Sequence, residues 1–409
     1  QPFRATGPGA AVTAALPDPS ILPPADELGA IADAAGLRRI HILAWRDLDD
    51  PEAGGSEVHA ATIASLWAAA GLDVTLRTSR ADGHPRFAER DGYRVVRKSG
   101  RYGVFPRSAL SGLVRRDGTR DALVEIWNGM PFFSPLWAHE PRVVFLHHVH
   151  AEMWRMALKP AALARAGELI EFRLAPRAYR RARIITLSES AKAEIVELLR
   201  LPIANVTVVP PGISARYSPG GTRSPHPLVV AVGRLVPVKR YDGLIDSFVA
   251  LKRMHPSLEA VIVGEGYERS RLEAQVESAG ASSWLSLPGR LDDDRLVALY
   301  RRAWVVASNS LREGWGMTLT EAAACATPAV VSDIAGHRDA VVDRHSGLLV
   351  DGPTGLVAGL DRLLTDAPLR RQLTEGALAH SRQFTWEACA KSILQALADE
   401  KTRHRATRR

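Results

Sequence analysis

From Arg38 onward, short apolar runs alternate with amphipathic stretches, and after Pro210-Pro211-Gly212 the alternation starts again. The first set of runs is RRIHILAW, DVTLRTS, YRVVRK, ALVEIW, RVVFLH, RIITLS and NVTVVP; the second is PLVVAVG, LEAVIVG, WLSLPG, WVVAS, PAVVS and GLLV. Runs this short and this apolar read as strands buried on both faces, which is the condition of a parallel sheet. Parallel neighbours need a crossover, and the stretches between the runs have helical spacing. Helices are expected over Glu57–Ala70, Ser188–Arg200 (capped by Ser188 or Ser190), Tyr241–Met254, Arg269–Ala279, Asp292–Arg302 and Trp386–Asp399. The chain therefore reads as α/β, with two doubly wound halves. Pro-Pro-Gly fixes two φ angles and frees a third, so the join falls there. The expected parts are a Pro/Ala-rich segment 1–37, a first Rossmann-like domain 38–212, a second one 213–384, a last helix 385–400 and a basic tail 401–409.

A chain of 409 residues holds two domains of ordinary size. No apolar run is long enough to span a bilayer, and the first twenty residues lack the layout of a secretory signal. Cys325 and Cys389 lie in apolar helical context without metal-ligand spacing, and are expected as reduced core residues of a cytoplasmic protein. The net charge is +8, but five of the cations fall in the last nine residues. The body is thus only mildly basic and has no basic stripe of the kind that holds nucleic acid. The tail reads as a solvated, disordered end; its alternative partner is an anionic membrane surface.

The most chemical stretch is EGWGMTLTE, in which Glu313 and Glu321 stand eight positions apart with Gly314, Trp315, Gly316, Met317 and Thr318 between them. It reads as a loop turning into a helix, whose first amides and positive dipole end favour an anion such as a phosphate. Glu321 falls one turn into the helix, and Glu313 stays in the loop. Two acids flanking a diphosphate would suit hydroxyls on either side of it, as in a nucleotide-sugar. Gly233-Arg234-Leu-Val-Pro-Val-Lys239 follows the first strand of the second half. Two cations at the carboxyl end of a parallel sheet could neutralise a diphosphate without a metal. The ordinary reading of each feature alone is a surface loop.

Together these motifs resemble the donor signature of family 4 of the retaining glycosyltransferases, with its E-x7-E pattern and its G-R-x4-K element. One departure is Ala326, where the family commonly has glycine; it is expected to be harmless at a helix end. The resemblance covers roughly Arg38 to Asp399 and implies the GT-B fold, two Rossmann-like domains facing across a cleft. It implies that the first domain binds an acceptor and the second a nucleotide-sugar. It also implies Arg234 and Lys239 as a pyrophosphate clamp, Glu313 at the hexose and Glu321 at the ribose. Gly54 and Gly55, in AGGSE, match the family's first-domain glycine loop; the ordinary reading there is a tight turn capped by Ser56. Gly264 and Arg290 match the walls of its base pocket. His147, in LHHVH, matches the family's histidine beside the transferred sugar, with His148 as the fallback; a zinc site on this run lacks other ligands.

The expected activity is retaining transfer of a hexose from a GDP- or UDP-sugar to a hydroxyl of a glycan or glycolipid, the lipid-linked and cell-envelope precursors included, with no cofactor and no metal. The enzyme would sit in the cytoplasm or at the inner membrane face. The alternatives are a GT-B epimerase or phosphorylase, and then an NAD-dependent oxidoreductase. VGEGYER and AGGSEVH both break the dinucleotide fingerprint. The arginines between Arg77 and Arg120 read as solvated surface, with an anionic acceptor as the alternative.

Overall fold

The computed structural model describes residues 25–114, 118–151, 153–157 and 161–407. They form two compact units, one of residues 25–212 with 384–407 and one of residues 213–383. The first holds β1 (Arg39–Leu43), β2 (Asp73–Ser79), β3 (Phe87–Arg90), β4 (Tyr93–Ser99), β5 (Ala122–Trp127), β6 (Arg142–Leu146), β7 (Arg183–Thr186) and β8 (Val206–Val208). The second holds β9 (Leu228–Val232), β10 (Glu259–Val263), β11 (Leu285–Gly289), β12 (Val305–Ser308), β13 (Ala329–Ser332) and β14 (Gly347–Val350).

The first sheet runs β3-β4-β2-β1-β5-β6-β7-β8 and the second β11-β10-β9-β12-β13-β14. All pairings are parallel except β3 with β4. Each sheet is covered by helices, so the strands are buried on both faces. Ile40, Ile42 and Leu43 of β1, and Val229, Val230 and Ala231 of β9, are buried. The sequence reading missed β3. It is a short edge strand whose residues alternate between exposed and half-buried, so it carries no apolar run. Its signal is Asp91-Gly92, both at positive φ, which is the two-residue hairpin turn before β4.

The expected helices before the last stand within one or two residues of their bounds. Ser188, not Ser190, caps the helix Glu189–Leu199, accepting from the Ala191 amide at 3.0 Å. Two readings need correction. A helix spans Ala25–Ala35 in the Pro/Ala-rich segment, where none was expected. It is rich in alanine, and its narrow buried face, Leu28 and Ala32, packs on the last helix. That last helix runs Trp386–Ala406, so the described part of the tail, 401–407, is not a disordered end. Lys401 donates to the Gly36 carbonyl and Arg403 pairs with Glu400 at 2.9 Å, which draws two tail cations into the fold. Arg408 and Arg409 lie outside the described residues, as do residues 1–24 of the N-terminal segment. No helix among the described residues is long and apolar enough to cross a membrane.

Ala326 is also corrected. It follows the helix Met317–Ala324 at φ 59°, in the left-handed region. The Thr327 amide reaches back to the Ala322 carbonyl and the Ala326 amide to Ala323, each at 2.9 Å, as in a Schellman end. Glycine takes this conformation without the Cβ clash that alanine suffers, so alanine is not harmless here. Ala326→Gly is expected to raise stability by about 0.5–1 kcal/mol, after the extra unfolded-state entropy of glycine is deducted. A denaturant midpoint that falls on this substitution would show that Arg223, which donates to the Ala326 carbonyl and to Thr327 Oγ1, already holds the turn without strain.

Candidate active site

In the second sheet the order reverses between β9 and β12. Loops leaving the carboxyl ends of these two strands diverge, which opens a crevice where doubly wound sheets bind ligands. The loop after β9 carries Gly233, Arg234 and Lys239; the loop after β12 carries Glu313, Gly314, Trp315 and Gly316. The reversal thus brings together residues 74 apart. Lys239 Nζ donates to Glu313 Oε1, and Ser310 Oγ donates to the same oxygen at 2.8 Å. Beneath them lies His337, wholly buried. Its Nδ1–H donates to the Ser332 carbonyl at 2.8 Å, leaving Nε2 to accept from Ser308 Oγ at 3.3 Å. Burial pushes the Glu313 carboxyl up, but the Lys239 charge outweighs it with help from His337 and Ser310, so the group ionises below the ordinary range. Ser310 and His337 were not found from sequence. No motif marks them: Ser310 lies three residues before Glu313 on the same loop, and only the adjacency of β12 and β13 brings His337 close.

Arg234 is exposed and has no ion pair among the described residues. Its loop lies flat on the loop after β10. The Leu235 amide donates to the Glu265 carbonyl at 2.8 Å, and a Cβ at Gly264 would stand 1.9 Å from the Gly233 carbonyl oxygen. Gly264 is therefore required by backbone packing whatever else it touches. Arg290 is exposed just beyond β11, at the outer edge of the same sheet.

Gly316, at φ 97°, caps the helix Met317–Ala324. The first-turn amides, those of Met317 and Thr318 included, have no acceptor within the helix and carry the positive dipole end. Trp315 is buried beside them. Glu321, one turn in, faces away from the Lys239–Glu313 pair. Tyr300 Oη lies 3.4 Å from its Oε2, and Tyr217 packs against Tyr300 with ring centroids 6.0 Å apart and planes inclined at 58°. Burial pushes Glu321 up to about 8, with Asp293 adding to the rise and Arg216 opposing it. The two glutamates thus hold opposite protonation states near neutral pH.

In the first sheet the order reverses between β1 and β5. Gly54 caps the helix Gly55–Ala69, and the Glu57 carboxylate accepts from the Gly54 amide at 2.8 Å. Ser56 is not the cap; its hydroxyl accepts from Asn128 Nδ2 at 2.9 Å. Glu57 is itself buried against Arg46 at 3.5 Å, so the glycine turn is rigidly held. His147 directly follows β6 and is only 5 % exposed. Its Nε2 lies 3.3 Å from His59 Nδ1, while its Nδ1 is buried without a hydrogen-bond partner among the described residues. Burial, with the neighbouring His59 and His148, holds His147 neutral. His148 is half-buried and stacks on His150 with centroids 4.8 Å apart. Both cysteines are free and buried. The arginines of the region 77–120 are not uniformly solvated, which corrects the sequence reading. Arg97, 1 % exposed, pairs with Asp47 at 2.6 Å and with Asp49, and Arg120 pairs with Glu140 at 3.0 Å.

The family described as Glycosyltransferase Family 4 matches residues 53–217, and that described as Glycosyl transferases group 1 matches residues 219–380. The chain belongs to glycosyltransferase family 4. Among relatives of this family 4 chain, a D-inositol 3-phosphate glycosyltransferase of Salinispora tropica is 32% identical over 250 residues, which is 54% of this chain and 52% of the relative. That of Nocardia farcinica is 32% identical over 280 residues, 62% of this chain and 61% of the relative. The chain thus spans about half the length of the curated relatives it matches. Sucrose-phosphate synthase from Thermosynechococcus elongatus superimposes with TM-score 0.73 at 20% identity, covering 87% of this chain and 97% of the other. Anabaena HepE, solved with UDP and glucose, superimposes with TM-score 0.69 at 18% identity, covering 88% and 100%. These likenesses show the GT-B fold.

A raised Glu321 has a thermodynamic signature. Between pH about 4.5, its ordinary value, and about 8, the folded state holds a proton that the unfolded chain has lost. The stability that this group contributes is full below the lower value and is lost as pH rises to the upper one. Glu321→Gln should therefore flatten the fall in stability over this window, by at most about 1.4 kcal/mol per pH unit. Parallel stability curves for the two proteins from pH 5 to 8 would show that Glu321 titrates normally.

Proposed function

We propose that the chain is a retaining, metal-independent glycosyltransferase that moves a hexose from a nucleotide-diphosphate sugar to an acceptor hydroxyl. The observation that carries this reading is the Lys239–Glu313 pair at the reversal of the second sheet, beside the helix start at Gly316. The diphosphate is assigned to the amides of Met317 and Thr318, to Arg234 and to Lys239. These supply two full charges and a dipole end, so the leaving phosphate is stabilised without a cation. Lys239 then exchanges one anionic partner, Glu313, for another. Glu313, relieved of its pair, accepts hydroxyl protons of the hexose. Glu321 is assigned to the ribose, whose two hydroxyls donate to the carboxylate form. Gly264 and Arg290 border the base, Gly54 and Gly55 the donor, and His147 the transferred sugar.

The reading requires no protein nucleophile and no covalent intermediate. The reading therefore assigns proton acceptance from the acceptor hydroxyl to the leaving phosphate itself, with catalysis by positioning and electrostatics. The D-inositol 3-phosphate glycosyltransferases among the relatives, and HepE solved with UDP and glucose, make UDP-sugars and phosphorylated polyols the first compounds to test.

Arg234→Ala is expected to lower turnover more than about ten-fold, since it removes a charge from the developing diphosphate. Glu313→Ala is expected to lower it about 100-fold while leaving affinity for the free nucleoside diphosphate within a few-fold. A chelator should change nothing. The measurement is paired, titrating each variant with diphosphate and with donor, then assaying transfer. Activity lost in chelator and restored by magnesium or manganese would overturn the assignment.

A further inference from the structure

Three side chains distant in sequence form a buried line in the first unit. Cys389, on the returning helix Trp386–Ala406, places Sγ 3.3 Å from His59 Nε2. His59, on the helix Gly55–Ala69, places Nδ1 3.3 Å from His147 Nε2. Every side chain in the line is at most 5 % exposed. His59 is clamped edge-on to Phe145, with centroids 4.5 Å apart at 89°, and against Trp386 at 5.4 Å, so its ring cannot turn over without disturbing the core. The line ends at His147 Nδ1, a buried nitrogen with no partner among the described residues. A neutral imidazole carries one proton, and a bond at one nitrogen decides what the other offers.

Two proton arrangements satisfy the line. In one, Cys389 S–H donates to His59 Nε2, His59 Nδ1–H donates to His147 Nε2, and His147 carries its own proton on Nδ1. In the other every bond runs backward, the sulfur accepts, and His147 Nδ1 is bare. Chemistry chooses between them. A thiol sulfur is a weak acceptor. The Gly212 backbone amide already lies against this sulfur, because a glycine there lets the chain pass the Trp386 backbone, where a Cβ would stand 2.1 Å from the nitrogen. Burial also pushes the Cys389 thiol up, keeping it protonated, and pushes His59 down to about 3, keeping it neutral.

We propose that Cys389 and His59 are positioning residues that hold His147 as its Nδ1–H tautomer, so that Nδ1 offers a hydrogen-bond donor to the transferred sugar. The proposal rests on the assignment of His147 to that sugar. It adds two residues that do not touch substrate, one of them 330 positions from its partner. A donor at Nδ1 would favour a sugar oxygen that accepts there; against the ring oxygen, which carries no proton, the reverse tautomer would leave two lone pairs facing each other.

The test uses the full chain with 15N-labelled histidine. Long-range 1H–15N spectra separate protonated from bare ring nitrogens, and loss of signals in His147→Gln assigns that residue. The expected result is Nδ1–H for both His147 and His59. Cys389→Ser, which keeps an O–H donor, should retain this tautomer and turnover within about two-fold. Cys389→Ala should shift part of the His147 population to Nε2–H and lower kcat about ten-fold, with nucleoside diphosphate affinity unchanged. A wild-type His147 protonated on Nε2, or an unchanged His147 spectrum in Cys389→Ala, overturns the proposal. The expected tautomers together with full turnover in His147→Gln would uphold the line and remove His147 from the sugar, which separates the two failures.

Discussion

The ion pair between Lys239 and Glu313 is the contact on which the organisation of the second unit's crevice depends. It joins the two loops that part at the reversal of the sheet, beside a backbone bond from the Leu311 amide to the Val238 carbonyl at 2.8 Å. Both side chains are half-buried. At that depth an unpaired charge is costly, and loss of one partner leaves the other uncompensated. The pair therefore fixes the Lys239 and Glu313 side chains against each other, while the backbone of the loop is also held by the Leu311 amide on Val238 and by Ser332 on the Ser310 carbonyl. Ser310 donates to the same carboxylate oxygen that Lys239 holds, and the buried His337 is bonded to Ser308 and Ser332 nearby. An arriving diphosphate would meet a lysine already aimed into the crevice.

The E-x7-E spacing places its two carboxylates in different solvents. Glu313 sits beside a cation and is pushed down; Glu321 is pushed up by burial and by Asp293, against the Tyr300 hydroxyl and Arg216. The same residue type is thus set to two tasks by its surroundings, an anion on one side of the helix start and a proton-bearing group on the other. In the first unit the comparable device is the line from Cys389 to His147. There a tautomer, not a charge, is what the surroundings select.

The strands were legible in the sequence because they are buried on both faces, which makes each a continuous apolar run. The site was legible where one local stretch holds it, as in Glu313 to Glu321 or Gly233 to Lys239. β3 was not, since a half-exposed edge strand has no such run and only Asp91-Gly92 announces it. The helix Ala25–Ala35 hid because alanine marks a buried face weakly. Ala326 was misjudged because a backbone angle, not a side-chain preference, decides its cost. The contacts between Lys239 and Glu313, Ser308 and His337, or Cys389 and His59 come from strand adjacency and from a helix that returns across the chain. Such contacts leave no spacing to read.

The most direct test of the account is a carbon-13 carboxyl titration of Glu313 and Glu321 in the full chain, with and without a nucleoside diphosphate. Without ligand, Glu313 should titrate below 4.5, the ordinary value, and Glu321 near 8. With ligand, Glu321 should fall by a unit or more, about 1.4 kcal/mol for each, because ribose hydroxyls favour the carboxylate. Two glutamates that titrate together near 4.5 and do not move when nucleotide is added would contradict the account.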